Sequence, residues 1–311
     1  MLPVNTISQG SALEFLRTFP SECVDMVITS PPYWALRDYE VDGQMGIEET
    51  FEEYVANLCG IFNEVRRVLK KEGTCWINLG DTYISKGESR HIGYAYPKNK
   101  KVGIQNCTEP SGLPQSIPEK CLAQIPARFA IEMTNRGWIL RNEIVWHKPN
   151  CMPTSAKDRF TVDFEKLFFF VKRQQYYFEQ QFEPFVQHSD VAYRSSLRKG
   201  KNYDAKLPYQ ANLPASFNPR GRNKRCVWTI PTRPCRQAHA AIFPPDLIET
   251  PILAGCPKYG IVLDPFMCSG TTAIVALKLS RRFIGIELNP DFVAMAHERT
   301  APHLGCECTA A

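Results

Sequence analysis

The chain has 311 residues, 44% of them hydrophobic, and a formal net charge of +5, the composition of a globular protein with a substantial core and room for one large domain or two modest ones. No apolar run approaches the roughly 20 residues that cross a bilayer, and Met1-Leu2-Pro3-Val4-Asn5 lacks the basic and apolar regions of a signal peptide, so a cytoplasmic, nucleoid-associated location is expected. Twelve cysteines are scattered through core-like segments and read as reduced thiols; the one close pair, Cys306 with Cys308, has no partner at zinc spacing, and no metal is assigned.

In chain order, the first strong signal is the apolar run Val24 to Thr29, which reads as a strand and ends at Ser30-Pro31-Pro32-Tyr33. Two prolines cannot continue a helix or a central strand, and Pro32 restricts Pro31 to extended conformations. The Ser30 hydroxyl, the carbonyls and the Tyr33 ring are thereby held in nearly fixed relative positions, which suits a pocket for a nucleobase. Thr50 to Leu69 carries apolar residues at helical spacing, with a capping box from Thr50 and Glu53 and a stop at Gly73. Thr74 to Leu79 is a short strand ending at Gly80-Asp81. Ser85 to Glu119 has little periodicity and reads as a mobile loop.

Pro126 to Asn135 is a helix ended by Gly137, and Trp138 to Trp146 a strand. Leu167 to Val171 is apolar throughout, as a strand covered on both faces would be. From Phe185 to Ala238 there are eleven basic residues against two acidic ones, about +9, leaving about −4 for the rest. Tyr193, Tyr203, Tyr209, Phe217 and Trp228 interleave with them, a pattern that suits nucleic acid; Arg194, Arg198, Lys199, Arg220, Arg222, Lys224 and Arg225 are the candidate contacts. Gly260 to Asp264, Thr271 to Leu279 and Phe283 to Glu287 complete the pattern as strand, helix and strand. The alternation predicts a doubly wound α/β fold with at least five parallel-type strands.

Asp264-Pro265-Phe266-Met267-Cys268-Ser269-Gly270-Thr271-Thr272 joins a buried strand to a helix, which places it at the ligand-binding carboxyl edge of such a sheet. Glu287, seventeen residues beyond Gly270, stands where an acidic side chain binds ribose hydroxyls in nucleoside cofactors. The loop matches neither the dinucleotide glycine pattern nor a Gly-Lys-Ser/Thr phosphate loop, so the cofactor expected is an adenosine compound without a pyrophosphate.

Ser30 to Tyr33 early, the basic insertion, and Asp264 to Thr272 followed by Glu287 late resemble the circularly permuted β-class of amino-methylating DNA methyltransferases over nearly the whole chain. Leu36-Arg37-Asp38-Tyr39, Asn78-Leu79-Gly80-Asp81, Trp146-His147-Lys148-Pro149-Asn150, Lys157-Asp158-Arg159-Phe160 and His239 to Pro244 are similar to further family segments. The resemblance implies an S-adenosylmethionine-dependent methyltransferase (Rossmann-like) fold, with 1–184 and 239–311 as the catalytic and cofactor-binding domain and 185–238 as an inserted target-recognition region. It implies catalytic roles for Ser30, Pro31, Pro32 and Tyr33, with Trp34 beside Tyr33 against an extruded base. Cofactor contacts are implied for Ser11, Phe243, Asp264, Phe266, Cys268, Ser269, Gly270, Thr271, Thr272 and Glu287. Cys268 stands where the family usually has glycine, and Ser11 where it often has an acidic residue. Serine at the head of the tetrapeptide is similar to cytosine-N4 enzymes, with adenine N6 as the alternative. The partners implied are double-stranded DNA and, in function, a cognate restriction endonuclease, for a monomer or weak dimer. Asp81 is expected to line the pocket or cap a turn, and His147 to be a packed or backbone-bonded histidine and not a catalytic base.

Overall fold

The structure, a computed structural model, describes residues 2–84, 117–184, 220–233 and 243–304. The chain runs β1 (Thr6–Gln9), α1 (Ala12–Thr18), β2 (Val24–Thr29), α2 (Phe51–Val68), β3 (Leu69–Leu79), α3 (Ile125–Asn135), β4 (Ile139–His147), β5 (Phe164–Val171), β6 (Phe182–Glu183), β7 (Arg222–Asn223) and β8 (Val227–Thr229). It continues with α4 (Pro245–Gly255), β9 (Ile261–Asp264), α5 (Thr271–Lys278), β10 (Arg282–Glu287) and α6 (Pro290–Leu304). Eight strands form one sheet in the order β1-β10-β9-β2-β3-β5-β4-β8.

Side-chain alternation sorts the sheet residues onto two cores. Val27, Cys75, Ile77, Phe168, Phe170 and Leu263 face a cluster built with α1, α2 and α3. Met26, Ile28, Trp76, Phe169, Val171 and Val262 face a second cluster built with α4, α5 and α6. The apolar run at Leu167 to Val171 is therefore covered on both faces, as its composition requires. Its direction differs from the parallel reading: β5 runs antiparallel to both β3 and β4. Residues 148–163, which join β4 to β5, contain no helix, and a parallel connection needs a crossover element that this loop does not supply.

The long amphipathic helix forms where its periodicity puts it, with Tyr54, Leu58, Phe62 and Val65 fully buried and the Glu53 N–H donating to Thr50 Oγ1 at 3.1 Å. Gly73 does not stop it. Leu69 is already extended, and the chain passes directly into β3, which has a register shift: Val24 faces Leu69 while Met26 faces Thr74. Gly73 lies in the resulting bulge, where a Cβ would stand 2.8 Å from the Asp25 carbonyl oxygen. Asp25 ties neighbouring chain segments, accepting from Ile261 N–H at 2.8 Å and Lys70 Nζ at 2.7 Å. The short elements β1, α1 and β8 have too few residues to show a period and were not legible beforehand.

Contacts divide the chain into two units, Met1–Phe178 with Cys226–Ala311, and Glu179–Arg225. The first carries the eight-stranded sheet; the second carries the antiparallel β6–β7 pair. No helix among the described residues is long and apolar enough to cross a membrane.

The α4 helix ends against β3 at Gly255, whose carbonyl accepts from Thr74 Oγ1 at 2.8 Å while Thr74 Oγ1 accepts from Trp76 Nε1 at 3.1 Å. A Cβ on Gly255 would press on Thr74 Oγ1 and stand 2.7 Å from Trp76 Nε1. Gly255→Ala is expected to destabilise the fold by about 1–3 kcal/mol through overpacking, read as a lower denaturation midpoint at unchanged slope.

Candidate active site

Successive connections leave β2 toward β3 and leave β9 toward β10, so the β2–β9 junction is the topological switch point of the sheet, where a crevice opens at the carboxyl ends. Thr29-Ser30 emerges there from β2 and Asp264-Pro265 from β9. The two loops are joined through one buried carboxylate. Asp264, 1% exposed, accepts from Thr29 Oγ1 at 2.6 Å and Phe266 N–H at 3.0 Å through Oδ1, and from Thr272 Oγ1 at 2.5 Å through Oδ2. Burial pushes its pKa up to about 6, against the pull of these three donors.

The loop from β9 to α5 turns through left-handed backbone at Cys268 (φ 48°) and Gly270 (φ 82°). For Gly270 this conformation costs nothing; for Cys268 it is strained by about 1 kcal/mol. Ser269 is fully buried and accepts from Arg299 of α6 at its carbonyl, 2.5 Å, and at its hydroxyl. Arg299 escaped the sequence reading because only folding brings α6 back over the loop. Burial, and then the Glu287 charge, push the Cys268 thiol up to about 12, so it stays neutral.

Glu287 closes the far side of this loop. Its Oε2 accepts the Cys268 N–H at 2.7 Å and its Oε1 the Asn289 N–H at 2.8 Å. Burial raises its pKa while these amides pull the other way. Gly10 N–H donates to the Glu287 carbonyl at 2.8 Å, which places Ser11, the residue before α1, at the neighbouring strand end. Phe243 and Phe266 are half-buried and pack against opposite clusters.

Several features fit an adenosine cofactor bearing an amino-acid group. Thr271 Oγ1, buried at the first position of α5, has no hydrogen-bond partner among the described residues. It lies at the N-terminus of α5, where first-turn amides have no partner within the helix, an arrangement that suits a carboxylate. Each Glu287 oxygen keeps a lone pair for a ribose hydroxyl.

Across the crevice, Ser30 to Tyr33 is gripped from several sides. Tyr54 Oη donates to the Pro32 carbonyl at 2.7 Å. The Tyr33 ring lies on Gly80, where a Cβ would stand 2.8 Å from Cδ2, and its carbonyl approaches Gly46 as closely. Tyr33 Oη donates to Glu165 Oε2 at 2.7 Å, and burial, with the Glu165 charge, raises the phenol well above its ordinary value. Glu165 Oε1 pairs with Lys148. Asn78, 2% exposed, donates to Glu165 Oε2 and to the Lys166 carbonyl, both at 3.1 Å. Trp34 does not join Tyr33 as a ring wall. It is buried edge-on to Phe51 with centroids 6.1 Å apart, and its Nε1 donates to the Glu48 carbonyl at 3.0 Å, because a bulky indole gains most by burial with its N–H satisfied.

Asn78 and Lys148 stand in segments singled out from the sequence, whereas Glu165 lies just before the apolar run at Leu167 and carries no local signal, and nothing local marks the three as a network. The antiparallel β5 brings them together by setting Glu165 opposite Trp146 and Lys166 opposite Leu79. Asp81 caps a turn, accepting from Thr82 and Ile125 N–H at the start of α3. His147 Nδ1 lies 3.1 Å from Thr229 Oγ1. Between β4 and β5 the 148–163 loop is held by Lys120–Asp158 and by Arg159 stacked 3.6 Å over the Tyr83 ring, leaving Phe160 96% exposed.

Of the basic candidates, Arg194, Arg198 and Lys199 lie outside the described residues. In the smaller unit, Arg222 and Arg225 both reach Glu183, at 2.7 and 2.6 Å, and Arg220 stacks on Phe182 at 4.6 Å. Burial works against ionisation of Glu183, but these arginines hold its carboxyl below the usual range. Lys224 N–H donates to the Gln181 carbonyl at 3.0 Å.

Two braced loops, Ser30 to Tyr33 and Asp264 to Thr272, joined at the switch point of a doubly wound sheet, fit the class of S-adenosylmethionine-dependent methyltransferase folds. The profile of the DNA methylase family, which joins N6- and N4-methylating enzymes, matches residues 24–298, and the chain belongs to that family. It is 38% identical over 294 residues to the type II methyltransferase M.Cfr9I of Citrobacter freundii, covering 94% of this chain and 87% of that one. It is 37% identical over 290 residues to M.SmaI of Serratia marcescens, covering 93% and 88%. Among solved structures, the fold resembles PvuII DNA methyltransferase (cytosine-N4-specific), with a TM-score of 0.61 at 20% identity over 100% of this chain and 89% of that one. It also resembles TTHA0409 of Thermus thermophilus in its complex with S-adenosyl-L-methionine, with a TM-score of 0.59 at 23% identity over 97% of this chain and 96% of that one.

The raised Asp264 pKa has a definite sign. Between the unfolded value of 3.8 and the folded value of about 6, the native state binds more protons than the unfolded one. This group's contribution to stability is therefore full below pH 4 and is lost as pH rises through 6, by up to about 3 kcal/mol. Wild type is expected to lose stability relative to Asp264→Asn between pH 4.5 and pH 7, measured by paired denaturant titrations.

Proposed function

We propose that this family member is a sequence-specific DNA methyltransferase that moves the methyl group of S-adenosylmethionine to the exocyclic N4 of cytosine in duplex DNA. The observation that carries the reading is the neutral Ser30 hydroxyl at the switch point, beside the Pro31 carbonyl and tied through Thr29 to the cofactor loop by Asp264. The likeness to a cytosine-N4-specific enzyme supports it.

S-adenosylmethionine supplies an electrophilic sulfonium methyl. Gly270, Thr271 and Cys268 line the loop that takes its amino-acid end, with Glu287 and Ser11 at the ribose and adenine edge and Phe243 and Phe266 as apolar walls. Asp264, Ser269 and Thr272 hold that loop in shape. An exocyclic amine is a weak nucleophile because its lone pair is delocalised into the ring. Acceptance of its two N–H bonds by Ser30 Oγ and the Pro31 carbonyl turns the lone pair out of the ring plane, toward the cofactor side of the crevice. Pro32 keeps Pro31 extended, and the Tyr33 ring stacks on a base that has left the duplex. The 185–238 region, with its basic and aromatic residues, reads the target sequence, while Lys157, Arg159 and the exposed Phe160 meet the duplex at the mouth of the crevice. The likeness to type II methyltransferases supports a functional pairing with a restriction endonuclease of the same specificity.

Incubation of duplex DNA with labelled S-adenosylmethionine, followed by mass spectrometry of the nucleosides, tests the reading. N4-methylcytosine is expected, and N6-methyladenine alone would overturn it. Ser30→Ala is expected to lower turnover by about 100-fold or more while leaving cofactor binding within threefold by calorimetry.

Cys268 carries a side chain and a strained φ at the point where the cofactor loop bends. Cys268→Gly is expected to tighten S-adenosylmethionine binding by about 3- to 10-fold, because it removes the left-handed strain and the side chain from the bend, measured by the same calorimetry.

A further inference from the structure

We infer that Asn78 is a positioning residue that sets the polarity of the Ser30 hydroxyl, making it an acceptor toward the target amine. This rests on the reading above, in which Ser30 accepts an amine N–H. A hydroxyl carries one proton and two lone pairs. If the proton points at the amine, the two donors oppose each other and the lone pair of the nitrogen is not released.

The orientation of the Asn78 amide decides where that proton goes. On one side, Asn78 faces the Glu165 carboxylate and the Lys166 carbonyl, each at 3.1 Å. Both groups only accept, so the NH2 occupies that side and Oδ1 faces the pocket. Lys148 pairs with the other oxygen of Glu165. Two hydroxyls then compete for Asn78 Oδ1. Tyr33 Oη lies 3.1 Å from it but only 2.7 Å from Glu165 Oε2, and the charged acceptor takes the single phenolic proton. Asn78 Oδ1 is left for Ser30 Oγ at 3.4 Å, and the Tyr33 oxygen, itself now an acceptor, lies 3.5 Å from the same hydroxyl. Every neighbour of Ser30 Oγ in this network accepts. The serine proton is drawn into the protein, and the lone pairs remain for the substrate.

The test is single-turnover and steady-state kinetics on Asn78→Leu, Ser30→Ala and the double variant, with duplex DNA and S-adenosylmethionine. Asn78→Leu is expected to lower kcat by about 100-fold with the KM for both substrates within threefold. The double variant should be no slower than the slower single one, because both changes remove one function. Asn78→Asp keeps an acceptor toward Ser30 and should exceed the leucine variant by at least tenfold in kcat. Thermal melting separates a fold defect from this pattern, and Asn78→Ala carries the same comparison if leucine does not fold. A loss in Ser30→Ala with kcat retained in Asn78→Leu, equal losses in the leucine and aspartate variants, or additive losses in the double variant would each overturn the inference. Undiminished kcat in Ser30→Ala would instead overturn the role of Ser30 on which it rests.

Discussion

The site depends on one buried carboxylate shared by two strands. Asp264 leaves β9 with no exposed surface to speak of, and its two oxygens accept from Thr29 at the end of β2, from Phe266 in its own loop and from Thr272 in the first turn of α5. An ionised group in so dry a place is costly unless every lone pair is used. Three donors offset part of that cost here, and in doing so they hold the residue before Ser30 against the start of the β9–α5 loop. Group transfer needs its partners held in near-attack geometry, and this shared carboxylate sets the two loops at the switch point in register.

On either side of Asp264 the loops are braced by contacts that leave little freedom. Arg299 holds Ser269 from α6, and the Glu287 carboxylate holds the Cys268 amide. Tyr54 holds the Pro32 carbonyl from α2, while Gly46 and Gly80 admit Tyr33 where any side chain would collide. Polar groups bonded into a rigid scaffold do not reorient during reaction, which is the physical basis of electrostatic preorganisation. The Lys148–Glu165–Asn78 chain extends the same logic to the direction of a single proton.

Much of this was legible in the residues. Apolar runs of strand length and the amphipathic stretch ending at Leu69 announced a doubly wound sheet, and the spacing from Gly270 to Glu287 announced a nucleoside cofactor. The errors have physical causes. Gly73 looked like a helix stop because glycine favours left-handed caps, yet the need for close approach to the Asp25 carbonyl placed it in a bulge. Leu167 to Val171 showed burial on both faces, which parallel and antiparallel central strands share, so its direction was not encoded in its own pattern. Trp34 followed the tetrapeptide in sequence but turned into the core, where its indole buries most.

Local order in the chain determined the rigid tetrapeptide, the small-residue loop and the acidic strand end, because proline, glycine and charge act on their own backbone and nearest neighbours. Only the tertiary structure decided which side chains meet. Thr29 and Asp264 are 235 residues apart in the chain, and Tyr33 and Glu165 are 132 apart. Such pairs depend on strand order and direction, properties of the whole packed sheet that no single segment carries.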